Sequence, residues 1–288
     1  MLLSMTGFGK SNGVFESKKV SVEIRSLNSK GLDLSLKIAS PYRDLETAIR
    51  KMLSENLDRG KVDVGIFIES TNESLNNIIN NEVATKYYSA IKKLNESWGE
   101  APQDYLSIVL RMPEVLNTQT SELTEEEKKW ILNLVNETCG KLNDFRAQEG
   151  AALKKEFELR IGEIRSLLSQ IEAFEDIRIL QIKERILKGL KELEHPGLDQ
   201  NRLEQEMIFY LEKLDVSEEK MRLTNHLNYF IETMSSPLSG KKLGFIAQEL
   251  GREINTLGSK SNHGDMQRLV VEMKDNLEKI KEQVLNTL

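Results

Sequence analysis

Carboxylates recur beside apolar stripes in the last third of this sequence, and they are the residues best spaced to do chemistry. In GKKLGFIAQELGREINTLGSKSN, residues 240–262, Leu243, Ile246, Ala247, Leu250, Ile254 and Leu257 repeat at helical spacing and share one face. Glu249 and Glu253 stand four apart on the border of that face, while Arg252, Gln248 and Asn255 point more openly to solvent. Like charges at this spacing repel by about 0.2–0.5 kcal/mol, so a cation belongs near them. Lys242, Arg252, an incoming arginine or a metal ion would each serve. Two upstream segments repeat the arrangement. Glu206 borders the stripe Leu203, Met207, Tyr210, Leu211 and Leu214; Glu219, Arg222 and His226 border Leu223, Leu227, Phe230 and Met234. If the three edges converge, they form an oxygen-rich pocket with one imidazole and nearby cations. Such a pocket suits a hard divalent cation such as Mg²⁺ or Mn²⁺. A plainer reading stands beside it: solvated helix flanks, with Glu219–Arg222 and Glu249–Arg252 as ion pairs and His226 as a hydrogen-bonded helix residue.

Other chemistries lack their residues. Only three histidines occur, His195, His226 and His263, with no HExxH and no Cys/His cluster, which argues against zinc. Cys139 lies mid-helix without a nearby histidine, and no spacing supports a Ser-His-Asp set. The string SMTGFG, residues 4–9, has neither the spacing nor the lysine of a phosphate-binding loop.

The elements that must position these residues begin with β structure. Residues 2–10, 18–26 and 32–38 read as strands; the second alternates Val20, Val22 and Ile24 against Ser21, Glu23 and Arg25. Asn12 with Gly13, and Lys30 with Gly31, mark the expected turns. Pro41 ends the third strand, and Asp44 is expected to cap a helix over residues 44–57 that buries Leu45, Ile49, Met52 and Leu53. Arg59, Gly60 and Lys61 turn the chain into a fourth strand over 62–70. The expected fold class is therefore α+β, opening with a β-β-β-α-β unit. Arg25, Lys30, Arg43, Arg59 and Lys61 fall at strand ends and turns, where scaffolds present functional or merely solubilising charge.

Beyond residue 80 nearly everything is helical: 81–98, a short 105–110, and a capping-box start at Thr124 with Glu127. The apolar repeat then runs unbroken to about 193 through Leu153, Phe157, Ile161, Ile164, Leu168 and Ile171. Long paired helices follow, as a coiled-coil-like arm or a subunit interface. Pro196 and Gly197 close that stretch. Four helices complete the chain at 202–214, 218–234 (capped by Ser217), 241–257 and 265–287. This divides the chain into an N-terminal α+β domain with appended helices (1–155), a helical connector (156–199) and a C-terminal helical domain (200–288).

The 288 residues are 39% hydrophobic and 30% charged, the balance of a folded, helix-rich chain. The net charge of −6 is uneven: +2 over residues 1–70, −9 over 71–239 and +1 over 240–288. Mildly basic ends leave a polyanionic partner open. No apolar run approaches a membrane span, the N-terminus lacks the pattern of a signal peptide, and a single cysteine suits a reducing cytoplasm.

SMTGFG, EIRSLNSK, RGKV (59–62), RLEQE (202–206) and above all QELGREINTLGSKSN (248–262) resemble the YicC-like family of bacterial endoribonucleases, over nearly the whole chain. Gly251 departs from the usual string at about 1 kcal/mol of helix propensity, and permits a close approach. The resemblance implies a cytoplasmic, metal-dependent enzyme of RNA turnover, a homo-oligomer and specifically a hexamer, that cuts RNA internally. Taken with the helix-edge reading, Glu206, Glu219, Glu249 and Glu253 would hold Mg²⁺ or Mn²⁺. Glu249, Glu253, His226, Arg252 and Lys260 would carry catalysis. Arg222 and Lys242 would neutralise phosphate, Gln248 and Asn255 would contact ribose or base, and Arg25, Lys30, Arg59 and Lys61 would guide the backbone. Without ions, cleavage through the 2′-hydroxyl with His226 as base stays open. The alternative is a non-catalytic RNA-binding oligomeric scaffold serving a separate nuclease; clustered carboxylates suit it poorly, because they repel phosphate unless a cation intervenes. A purely structural helical oligomer would leave the polar string unexplained.

Overall fold

The computed structural model describes residues 2–16, 18–70, 79–99, 104–116, 123–192 and 200–288. Strands β1 (Gly7–Phe15), β2 (Lys18–Leu27), β3 (Leu32–Ile38) and β4 (Gly60–Ser70) form one sheet in the order β1-β2-β4-β3. β2 pairs antiparallel with β1 and β4, whereas β3 runs parallel to β4. Val20, Val22, Ile24, Val62, Val64 and Ile66 point to the covered face, so the α+β expectation holds. Three local expectations do not. The first strand, read as residues 2–10, runs instead over Gly7–Phe15, and Ser4 makes only an isolated bridge to Thr287. Asn12 and Gly13 lie inside β1, opposite Ser21 and Val20, and the chain reverses beyond Phe15, where Glu16 takes a φ of +52°. Gly13 is small for a packing reason: a Cβ there would lie 2.6 Å from the Trp130 ring. Asp44 caps nothing either. Pro41 opens a 3-10 turn, Ser40–Leu45, and helix α1 (Glu46–Asn56) grows directly out of it without a side-chain cap.

Helices α2 (Asn81–Trp98) and α3 (Tyr105–Val109) start at Asn80 and Asp104, whose side chains accept from Val83 N–H and Ser107 N–H. The 46-residue α4 (Glu125–Gln170) starts at Thr124, whose hydroxyl caps Glu127 N–H as the capping box requires. Its first half closes the sheet with Ile131, Leu134, Val135, Cys139 and Leu142. Buried Glu127 there accepts from Tyr42 Oη (2.8 Å) and Lys18 Nζ (2.9 Å). Its second half, Phe157 to Leu168, enters a separate core with the C-terminal helices. The apolar repeat suggested a helix unbroken to about 193; instead Ile171, fully buried, bonds back to Leu168 O and separates α4 from α5 (Glu172–Glu192). Periodicity survives such a one-residue break, which is why the sequence does not reveal it. The expected boundary at Pro196 and Gly197 lies outside the described residues.

α6 (Gln200–Leu214) precedes α7 (Ser217–Thr233), α8 (Gly240–Lys260) and α9 (Gly264–Val284). Ser217 opens α7 instead of capping it; the Asp215 carboxylate accepts from its N–H (3.0 Å) and hydroxyl (2.6 Å). α7 packs on α8, α8 on α9, and α9 on the second half of α4, closing a four-helix bundle. The two ends of the chain clasp this bundle to the sheet. Ser4 N–H donates to Arg146 O (3.0 Å), Met5 N–H to Asn286 O (2.7 Å) and Leu288 N–H to Leu3 O (2.9 Å). Gly150 and Gly240 let the backbones meet, since a Cβ at either would strike a carbonyl of Leu2 or Thr287. SMTGFG thus serves as a structural clasp, with Thr6 Oγ1 donating to Glu149 at 2.9 Å.

Candidate functional site

α8 buries the six apolar residues its spacing specifies. Gly258 makes room for α9, since a Cβ there would sit 2.9 Å from Val270 Cγ1; at Gly251 a Cβ would meet Leu277 Cδ2 at an ordinary 3.4 Å, so the close approach expected there is not needed. The packing on one side leaves the other face open. Lys241, Phe245, Gln248, Arg252, Asn255 and Ser259 recur every three or four positions and are all exposed. The open face is therefore a ridge of amide, guanidinium, ammonium and hydroxyl groups with one exposed ring, Phe245.

The flanks of α8 are more sharply defined. Glu249 accepts from Arg252 at 2.7 Å, the local ion pair. Glu253 is buried and has no ion pair or hydrogen bond among the described residues. Lys260 reaches across to α7 and donates to Glu219 at 2.8 Å; the Glu219 side chain is 6% exposed and its Oε2 has no partner. Arg178 of α5, also buried, donates to Lys260 O at 3.2 Å. Burial pulls the Arg178 guanidinium below its ordinary value, and Glu175 and Asp215 oppose that shift. Arg222 pairs with Glu218 at 2.6 Å, leaving Glu219 to Lys260. His226 is half-buried on α7, and Lys242 lies 4.6 Å from the Tyr229 ring centre.

The structure thus ties the edges of α7 and α8 together through Glu219 and Lys260, and leaves Glu206 exposed on α6, which makes no more than marginal contact with either helix. Among the described residues no three His, Cys, Asp or Glu side chains gather to hold a metal ion. Mg²⁺ is commonly bound by one or two carboxylates together with substrate phosphates. Glu219, with one orphaned oxygen, and the buried Glu253 are separate candidates for that smaller share, because Lys260, which holds Glu219, stands seven residues, about 10 Å of helix rise, from Glu253.

The cations of the sheet divide by role. Arg25 and Lys61 lie exposed on its uncovered face, and Lys30 is exposed in the loop after β2. Arg59 instead ties a turn, its Nε donating to Ser29 O at 2.6 Å. Sequence reasoning missed Arg178 and Asp215, which gain meaning only from helices packed far along the chain, and it paired Glu219 with the wrong cation. Glu219 stands four residues before Leu223 and so continues the apolar stripe of α7 by one turn, which was the available signal for its burial.

Fold and site together define a two-part α+β protein in which a sheet is clasped to a four-helix bundle and a donor-rich helix face is turned to solvent. Residues 2–155 match the family description "Endoribonuclease YicC-like, N-terminal region" and residues 171–287 match "Endoribonuclease YicC-like, C-terminal". The chain is 29% identical over 291 residues to a protein of Clostridioides difficile, and 31% identical over 290 residues to one of Haemophilus influenzae. Both relatives are named "Probable endoribonuclease YicC", and each match covers 99% of both chains. The chain belongs to the YicC-like endoribonuclease family.

Proposed function

We propose that this protein cleaves RNA at internal phosphodiester bonds, with the polar ridge of α8 and the facing edge of α7 as the site. The observation that carries the reading is that the most strongly amphipathic helix of the bundle keeps its polar face open while its apolar face is fully packed. Arg252, Lys242 and Arg222 would neutralise phosphate, and Gln248 and Asn255 would bond ribose or base edges. Arg252 is 72% exposed at its side chain, so its bond to Glu249 does not prevent a contact with RNA. Lys260 acts as a positioning residue, holding one oxygen of Glu219 while the other stays buried without a partner. His226, half-buried on α7, would serve as the general acid or base. Glu253 or Glu219 would contribute a ligand to Mg²⁺ or Mn²⁺ with the RNA phosphate, and such an ion polarises a phosphoryl oxygen and acidifies bound water.

Cleavage of an end-labelled single-stranded RNA by purified protein, in Mg²⁺, Mn²⁺ or EDTA, tests this. Internal cuts in metal that vanish in EDTA, and that slow by at least about 100-fold in folded Glu253→Gln, are the expected result. Activity that survives EDTA but not His226→Ala assigns cleavage to the 2′-hydroxyl route. A fully active Glu253→Gln removes Glu253 from the site. A second reading, an RNA-binding scaffold without chemistry, draws support from the pairing of Glu219 and Glu249 with cations, which lowers their repulsion of phosphate. RNA binding without cleavage under any metal condition would establish it.

A further inference from the structure

The uncovered face of the sheet carries features that neither the ridge of α8 nor the packing of the core explains. Its outward positions alternate strictly: Phe8, Lys10, Asn12 and Val14 on β1, Lys19, Ser21, Glu23 and Arg25 on β2, Lys61, Asp63, Gly65 and Phe67 on β4. Antiparallel sheets that face water on one side ordinarily fill that side with polar residues. Here two phenylalanines stand in it, Phe8 at 39% and Phe67 at 50% exposure. They are held differently. The guanidinium of Arg25, opposite Phe8 in the register, lies 5.4 Å from that ring's centre. The Phe67 ring folds back along its own strand over Gly65: a Cβ there would be 2.6 Å from Phe67 Cε2. Gly65 therefore acts as a seat for an exposed ring, although glycine within a strand weakens it.

Beside the Phe67 ring, across β2, β4 and β3, lies a shallow cleft of about 350 Å³ lined by Glu23, Arg25, Ser35, Lys37, Asp63 and Phe67, and Phe8 stands on β1 outside it. Glu23 accepts from Lys10 (2.8 Å) and Arg25 (3.2 Å), so its charge is offset, and the Lys10 bond above all holds its carboxyl below the usual range. By register Lys10, Lys19, Arg25, Lys37 and Lys61 share this face with Glu23, Asp33, Asp63 and Glu69, a slight cationic excess, whereas the whole chain carries −6. From strand spacing and rise, Phe8 and Phe67 are roughly 16 Å apart across the sheet diagonal, too far to touch and far enough to hold non-adjacent bases. Exposed rings interleaved with cations on an open sheet are the physical requirement for stacking unpaired bases while the backbone is neutralised.

We propose that this sheet face is a stacking platform for single-stranded RNA, with Phe8 and Phe67 as the stacking rings and Lys10, Arg25, Lys37 and Lys61 as phosphate and base contacts. It rests on the reading of the protein as an RNA-acting one, and it adds a binding surface separate from α8. It also sets a substrate preference: RNA with unpaired bases is taken up, whereas a regular duplex, its bases stacked on each other, finds no ring free to use.

Fluorescence anisotropy with a labelled single-stranded oligoadenylate and with a blunt RNA duplex of equal length, on the full chain, tests this. Phe8→Ala and Phe67→Ala should each weaken single-strand binding by about 5- to 100-fold, with Phe8→Trp restoring it. The salt dependence of binding should keep its slope, because no phosphate contact is lost, whereas Lys61→Ala should flatten it. Duplex binding should be unaffected by either phenylalanine change. Unchanged single-strand affinity in a folded Phe8→Ala/Phe67→Ala protein overturns the platform while RNA binding by the parent protein keeps the wider reading intact. Absence of RNA binding by the parent overturns both. A double variant whose sedimentation shows a smaller assembly, and whose affinity Phe8→Trp does not rescue, makes this face a contact between copies of the chain and overturns the proposal.

Discussion

Glu219 keeps one carboxylate oxygen against Lys260 and the other without a partner, in a position almost closed to water. Removing the lysine leaves that charge uncompensated, which costs more than the pair itself contributes. Lys260 is about a quarter exposed, which moderates the loss. Lys260→Met is therefore expected to lower stability by about 2 kcal/mol, and adding Glu219→Gln to recover much of it. Denaturant melts of both single variants and the double variant measure this; purely additive effects would show that the two groups are not coupled. Cys139 offers a second test at this scale. Burial pushes its thiol up, with Arg146 acting weakly the other way, so the thiolate is scarce and enclosed. Alkylation at neutral pH should proceed only as fast as the protein unfolds, and rapid labelling of the native protein would contradict the packing described.

At the scale of elements, α4 is the member on which everything else is aligned, and β1 is shaped to receive it. A Cβ on Gly9 would run into the Thr138 carbonyl, and one on Gly7 would lie 2.9 Å from Leu142 Cδ1. Because a helix backbone cannot yield locally, Gly9→Ala is expected to cost about 1–3 kcal/mol. Gly31, with nothing within 4 Å of an added Cβ, should tolerate alanine with little change. Thermal melts of the two variants side by side check the claim; equal melting temperatures would refute the close seating of α4 on the sheet.

For the whole molecule, α5 and α6 carry the exposed apolar side chains Ile177, Leu180, Ile208, Phe209 and Leu211, and α6 makes no more than marginal contact with the bundle. Exposed apolar residues of this kind suit an interface between copies of the chain. The proposed homo-oligomer, a hexamer, would place them between copies. Sedimentation at micromolar concentration should then give a mass well above 32.9 kDa, and Leu180→Glu with Phe209→Glu should reduce it. A parent protein that sediments only as monomer removes the oligomer.

Much of this architecture was legible in the residues alone. The alternation of Val20, Val22 and Ile24 placed β2, the bounds of β3 and α2 followed from composition and turn residues, and the apolar stripe of α8 went to the core as its spacing required. Period and propensity are local, so a sequence expresses them directly. Tertiary structure decided the rest. Gly13 reads as a turn residue until Trp130 is seen above it, and the pattern across Ile171 is the same whether the helix continues or breaks. Which cation meets Glu219 depended on α8 crossing α7, where a lysine 41 residues away outcompeted the arginine three residues away. The open faces of α8 and of the sheet were likewise set by what packed on their other sides, because burial depends on neighbours that only the folded chain brings together.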